Sequence, residues 1–359
     1  MRKFAGMALF GRQLSEEEWN IVQMPFSLGG WNFIPLEVLS PCAFLASHLA
    51  NREAVLEFRP DAAERYDEET RKTIELIKKN DPSAKLPELK QTTKQKELVE
   101  AVMQSRFESL YAKADNRTKA LLLGGKQPHA NLWKIAAHTP ELYMEPKVFR
   151  IAALYSIGST MIETERTCPL CDKAILDLHC DHALICMNTG TVVSRHNDLY
   201  RIFAKTAREG LLSVQVEKEL YFPVDESKWK ADMVIMNGVP GIYSNSPAAF
   251  DLTITCNFNK TLIKRSARTE LHAALSGEIR KEKELEERVN SINYTLAPLA
   301  FETMGGHSPA VEPFAHYLMK EKSLMKNIPF TEVANSFWQQ VSVTLQKANA
   351  LAIFDRVNV

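Results

Sequence analysis

The chain has 359 residues, 45% apolar, 25% charged and 9% aromatic, a globular composition that excludes a disordered or fibrous chain. Its 44 basic and 44 acidic residues cancel, so any surface for nucleic acid has to be local and is not announced by net charge. No apolar run approaches the ~20 residues of a membrane helix, no membrane partner is expected, and six cysteines in a chain this long are not the disulfide framework of a small secreted domain.

The start, MRKFAGMALFG, runs into Ser15-Glu16-Glu17-Glu18, which reads as a helix capping box and not as a cleavage site; it is taken as mature protein. Residues 1–50 are helical and apolar, interrupted by Leu28-Gly29-Gly30-Trp31, where paired glycines end a helix or make a tight turn. From Glu53 to about Lys96 the chain is densely charged and broken by Pro60, Pro82 and Pro87, as in a solvated helical excursion or linker. A helix is predicted over 95–112, with Leu98, Val99, Val102, Met103, Phe107 and Leu110 on one side. Gly124-Gly125 and Pro128 break it, and a further helix is predicted over 129–158. After Cys186 the pattern changes. A helix from His196 to Glu209 is followed by strands over Leu212–Leu220, from Asp232, and over Ala248–Cys256. A long helix covers about 261–290, and Tyr294–Glu302 is a fourth strand closed by Gly305-Gly306. This order makes an α/β unit on a mixed sheet. Val333, Phe337, Val341, Leu345, Ala348 and Ala352 form an amphipathic stripe in the helical remainder.

Four cysteines cluster between 168 and 186, which points to metal and a reducing compartment. Cys168-Pro-Leu-Cys171 is followed by His182 and Cys186. Thiolate and imidazole are the ligands zinc prefers, and four of them close a structural site with no open position. The two-residue spacer lets one tight turn aim both thiolates at a single point. The three-residue spacing from His182 to Cys186 fits a helical turn, although His179 and Cys180 are rival ligands.

Downstream, Asp232 opens one candidate strand and Asp251 sits inside the next, between Phe250 and Leu252. An aspartate in an apolar strand is costly unless paired or on a metal. Glu217 lies in the preceding strand, and Lys281 and Lys283 on the long helix. Converging carboxylates on magnesium with a nearby cation suit phosphodiester cleavage, but a strand-end salt bridge explains Asp251 as readily. Glu302 is as well read structurally as functionally. Lys260, Lys264, Arg265 and Arg268 suit either a DNA backbone or a solvated face.

The run Cys168-x-x-Cys171…Asp181-His182-Ala-Leu-x-Cys186, then Ser194-Arg195-His196-Asn197, resembles the C-terminal region of non-LTR retrotransposon proteins with a restriction-like endonuclease. Lys230-Ala-Asp232 is similar to their first acidic strand and Ala249-Phe-Asp251-Leu-Thr253 to their second. Pro298-Leu-Ala-Phe-Glu302-Thr-Met-Gly305-Gly306 is similar to the strand that follows. Ser342-Val-Thr-Leu-Gln-Lys-Ala-Asn349 resembles the closing helix. Upstream, Pro25 to Gly30 with Ala43 to Ser47 resembles the stretch after the polymerase core, and Trp133 to Pro140 the spacer before the knuckle.

The resemblance implies an α+β chain. A mostly helical region, 1–165, resembles the post-polymerase spacer. A Cys-Cys-His-Cys knuckle follows at 166–190, then a PD-(D/E)XK endonuclease with a mixed sheet flanked by helices at 191–307, and closing helices at 308–359. It implies a DNA-nicking hydrolase, with structural zinc on Cys168, Cys171, His182 and Cys186. Magnesium or manganese would lie on Asp232 and Asp251, with Glu217 as a third acid. In the standard motif a lysine sits two residues after the second acid; here that position is Thr253. These elements typically supply it from the next helix, where Lys281 matches. The usual companion position is Glu284, so Lys283 is only a nearby substitute. Arg195 and His196 would position the fold or a phosphate. The implied partner is DNA, with RNA left open; the implied location is nuclear, with the cytoplasm as the alternative, and no small-molecule cofactor is implied. No Tyr/Phe-Ala-Asp-Asp polymerase signature occurs, so reverse transcription by this chain alone is not expected. It is expected to be a C-terminal piece, a truncated copy or a domesticated derivative. The alternative is an inactive binding or scaffold protein of the same origin.

Overall fold

The computed structural model describes residues 2–135, 137, 139–243 and 246–357. In chain order the α-helices are α1 (Arg2–Ala5), α2 (Glu16–Gln23), α3 (Leu36–Phe58), α4 (Ala63–Asn80), α5 (Gln95–Lys113), α6 (Asn116–Gly125), α7 (Pro146–Ser156), α8 (Thr191–Glu209), α9 (Ile263–Ser266), α10 (His272–Asn290), α11 (Val311–Lys326) and α12 (Phe330–Val357). The strands are β1 (Arg166–Thr167), β2 (Ile175–Leu176), β3 (Val214–Phe222), β4 (Ser227–Ile235), β5 (Ala248–Thr255) and β6 (Thr295–Glu302). The chain is therefore α+β, mostly helical with a mixed sheet. It divides into two compact units, one of Ser15–Asp115 and one of Met1–Leu14 with Asn116–Val359. No helix among the described residues is long and apolar enough to cross a membrane.

The 15–115 unit holds α2 to α5. The expected capping box forms: Ser15 Oγ accepts from Glu18 N–H, and the Glu18 carboxylate accepts from Ser15 N–H at 2.8 Å. The charged stretch after Glu53 is not a linker. It finishes α3 and forms α4, whose Thr73 and Ile77 are buried while its charges face out. A polar-looking segment with one narrow apolar stripe still packs when a partner helix covers the stripe.

In the larger unit, helix 129–158 is replaced by short 3-10 turns at Leu132–Lys134 and Pro140–Leu142, and only then by α7. Residues 136 and 138 lie outside the described residues. The cause is Pro140 and Pro146, each lacking an N–H donor and disfavouring helical backbone in the residue before it; Pro146 starts a helix instead of continuing one. The predicted helix over 261–290 also divides, without a proline, into α9 and α10, with Leu271 left-handed at φ 58° just before α10.

The four-stranded sheet has the order β3-β4-β5-β6; its first two pairings are antiparallel and the last is parallel. Asp232 does not open a strand but lies well inside β4, which starts at Ser227. One face packs against α8, α11 and α12 through Phe203, Phe250, Phe301, Phe314 and Phe337. Phe250 and Phe314 stack at 4.2 Å, and Phe203 and Phe337 meet edge-on at 5.1 Å. Each such buried ring contributes about 1.5–3 kcal/mol. The other face packs Leu220, Phe222, Ala249 and Leu296 against Leu285 and Val289 of α10. Gly277 lets α10 lie close to β5: a Cβ there would sit 2.7 Å from Thr255 Oγ1 and 3.0 Å from Thr253 Cγ2. One helical turn later this close approach delivers Lys281 to the strand.

Candidate metal cluster and acidic site

The knuckle is a two-rung hairpin followed by a single turn. Arg166 pairs with Leu176 and Thr167 with Ile175, which brings Cys168 and Cys171 to the tip. Asp177 fixes the return, its carboxylate accepting from the backbone N–H groups of His179, Asp181 and His182 at 3.0–3.3 Å. Cys168, Cys171, His182 and Cys186 then offer ligand atoms all within 4.8 Å of one another, so the four can hold a metal ion. The rivals stand apart. His179 Nδ1 is 3.0 Å from the Ser159 carbonyl, and Cys180 is buried outside the cluster in left-handed backbone.

Three features bear on whether zinc suits this set. Cys171 Sγ lies 3.4 Å from His182 Nε2, close to the ~3.5 Å that tetrahedral Zn–S and Zn–N bonds require. Arg356, fully buried, spans the adjacent backbone, contacting the Cys186 carbonyl at 3.5 Å; among the described residues its Nε has no partner and no carboxylate pairs with it. A buried cation needs compensating charge; three thiolates around a dication supply a net negative one. Burial, then the Arg356 charge, lowers the His182 pKa, which favours the neutral ring that ligation needs. Behind the cluster, Arg117 forks onto Asp181 with both contacts at 2.7 Å, Tyr155 donates to the same carboxylate at 2.8 Å, and the guanidinium lies 4.7 Å from the Phe258 ring.

The acidic site lies where β4 and β5 part. Their paired positions end at Met233–Phe250, and the next residue on each strand is an aspartate, Asp232 and Asp251. Beyond that point β4 no longer serves the backbone of Leu252. Asp232 Oδ2 accepts the Leu252 N–H at 2.7 Å, and His196 Nε2 donates to the Leu252 carbonyl at 2.8 Å while standing 3.1 Å from Asp232 Oδ2. Asp251, 5% exposed, has Lys281 Nζ 2.8 Å from its Oδ2. Burial raises the Asp251 pKa; the Lys281 charge opposes this and the nearby Asp232 adds to it. For His196 burial acts downward, but the Asp232 hydrogen bond and charge, Asn197 and the Leu252 carbonyl carry its pKa up to about 9. Asp232 Oδ2 is thus hydrogen-bonded, whereas Asp251 Oδ2 is buried without a hydrogen-bond partner and held by the Lys281 charge alone; among the described residues no hydrogen bond reaches Oδ1 of either.

The other expected residues are not at the pair. Glu217, with φ 51°, is held by Lys230 Nζ at 2.6 Å and by the Tyr200 hydroxyl at 2.8 Å, and the Lys230 bond depresses its pKa. Its link to the site is indirect, through Tyr200, whose ring is 5.8 Å from that of His196. Lys283 is exposed and pairs with neither aspartate. Thr253 is buried beneath α10, its hydroxyl accepting from Arg280 at 3.2 Å, so a lysine stem there would collide with the helix at Gly277. Glu302 is a buried cap. It accepts from Ala273 N–H at 3.0 Å at the start of α10 and from Asn257, and burial raises its pKa. Arg195 is structural, forked between Asn349 Oδ1 at 2.7 Å and the Leu184 carbonyl at 3.0 Å. Lys260, Lys264, Arg265 and Arg268 are all exposed.

The knuckle's brace, Arg117 and Arg356, left no signal in the sequence, because each acts on residues far along the chain. His196 stood inside a quoted motif, yet nothing local tied it to Asp232. No known protein-family model matches the chain, and no curated protein matches it.

Proposed function

We propose that the larger unit is a DNA-nicking hydrolase of the restriction-like kind that the sequence resembles, with zinc in the knuckle as a structural ion. The observation that carries this reading is the acidic pair at the strand gap. Two aspartates stand on adjacent strands, Asp232 with Oδ2 hydrogen-bonded to the Leu252 N–H and Asp251 with Oδ2 ion-paired to Lys281, which lies against the more buried of the two. Asp232 and Asp251 would hold magnesium, which, when bound, polarises a phosphate and lowers the pKa of attached water. The chain's own contribution is electrostatic and positional. Lys281 offers a fixed positive charge beside Asp251 for charge developing on the phosphoryl oxygens. Arg280, Lys230 and Arg201 lie exposed, ion-paired to Glu284, Glu217 and Asp198, and could exchange those partners for a phosphodiester backbone.

The knuckle supplies no open coordination position and takes no part in the chemistry of this reading. Supercoiled plasmid incubated with magnesium and the zinc-loaded protein tests the assignment. Nicking is expected from the natural chain, with a loss of at least about 100-fold in Asp251→Ala, which removes a metal ligand. Equal nicking by both, or by neither, ends the enzyme reading.

A further inference from the structure

The gap between β4 and β5 leaves Leu252 with an N–H and a carbonyl that the neighbouring strand does not pair beyond Met233–Phe250. A buried backbone left so would cost about 1–3 kcal/mol for each unmet group. Side chains replace the missing rung: Asp232 takes the N–H at 2.7 Å and His196 serves the carbonyl at 2.8 Å. The same Nε2–H of His196 also faces Asp232 Oδ2 at 3.1 Å, so the histidine, Asp232 and the Leu252 peptide form a closed triangle. Arg195, buried and tied at both ends of its guanidinium, fixes the turn of α8 that presents His196.

We propose that His196 is the positioning residue of the acidic pair: its Nε2–H bridges the Leu252 carbonyl and Asp232 Oδ2, locking the Asp232 carboxylate in one orientation on the strand next to Asp251. This inference rests on the reading of the pair as a cation site. The bridge does two things. It commits one carboxylate oxygen to the protein, which leaves the other for a ligand, and it holds the strands apart without orphaning β5 backbone. Positioning partners of this kind typically change metal affinity by about 10–100-fold.

Two substitutions separate the hydrogen bond from the bulk of the ring. His196→Phe keeps an aromatic against Tyr200 but has no donor; His196→Gln carries an amide N–H at about the reach of Nε2. The first measurement is hydrogen exchange of β5 in chelator-free, zinc-loaded protein, with Asp232→Ala as the reference for a lost Leu252 partner. His196→Phe is expected to speed exchange at Leu252 to the level of that reference, and His196→Gln to retain protection. The second is Mn2+ titration of the same proteins, in which His196→Phe weakens binding about 10- to 100-fold and His196→Gln restores most of it. Wild-type protection and Mn2+ affinity in His196→Phe, or equal losses in the Phe and Gln variants, overturn the proposal. If the natural chain takes up no Mn2+ sensitive to Asp251→Ala, the cation-site reading fails by itself, and the exchange comparison still decides whether His196 positions Asp232.

Discussion

The knuckle and the acidic site gather charged and ligating side chains by opposite routes. The knuckle draws its four ligands from 168 to 186, through one hairpin, one turn and a capping aspartate. The acidic site draws His196, Asp232, Asp251 and Lys281 from four elements, and meets only because β4 and β5 part and Gly277 lets α10 approach. Local assembly makes a compact four-ligand cluster that can hold a metal ion; long-range assembly makes a set of buried charges whose stability is set by charge balance. The distinction can be broken at either end.

Removing the zinc proposed for the knuckle is the largest expected perturbation. Structural zinc contributes about 10–16 kcal/mol of apparent binding energy in small fingers, and here the hairpin has only two rungs to survive without it. Cys186→Ser, or exhaustive chelation, is expected to take the zinc content from one ion per chain to none and to lower the melting temperature by well over ten degrees. Metal analysis with thermal unfolding measures both. A metal-free protein that melts where the loaded one does would remove the contrast between the two regions.

Charge balance at the acidic site predicts an asymmetry between partners. Lys281→Met leaves a carboxylate that is 7% exposed without its cation, costing about 3 kcal/mol. Asp251→Ala leaves a lysine whose longer stem, 22% exposed, can reach water, and costs less. The Lys281→Met deficit should shrink in acid, since the raised Asp251 pKa means that protonation removes the orphan charge first. Urea unfolding of the two variants at neutral and acidic pH measures this; equal losses would mean that the pair is not the buried contact described.

His196 gives the next effect, in zinc-loaded protein without added magnesium. Its pKa in the fold, about 9, is above the ordinary value near 6.5. A raised pKa stabilises fully below the unfolded value and is lost as pH rises through the folded one. Stability should therefore fall between about pH 6.5 and 9, on the order of 2 kcal/mol after allowance for a side chain 30% exposed. His196→Gln, which does not titrate, should flatten that slope. An unchanged slope in the variant would assign the titration elsewhere.

The sequence carried the knuckle almost completely, because thiolate spacing within one turn is a local code; choosing His182 over His179 and Cys180 needed the turn capped by Asp177. The four sheet strands were legible as segments from alternation and β-branched residues, though not their order in the sheet, and Asp251 from its apolar neighbours. Glu302 was not, because capping α10 depends on where that helix begins, 30 residues earlier in the chain than the carboxylate that caps it (302 − 272). Nor was Glu217: a left-handed residue inside a strand pattern turns its carboxylate to Lys230 and Tyr200, and no periodicity announces that. The proline-broken stretch after 129 shows the opposite failure, in which apolar spacing suggested a helix that backbone chemistry forbids.

The smallest effect is also the most selective. Lys281 and Lys283 are two residues apart on α10, hence about 200° around the helix, and only the first faces the strand. Lys283→Ala should change stability by less than about 0.5 kcal/mol, as surface substitutions do. It should leave both Mn2+ affinity and plasmid nicking as they are, whereas Lys281→Ala abolishes nicking. Side-by-side assays at two salt concentrations separate a reacting group from a backbone contact. A defect in Lys283→Ala that shrinks as salt rises would make it a phosphate contact; a defect independent of salt would mean that α10 turns on binding DNA, and that the lysine selected by the free protein's packing is not the one that works.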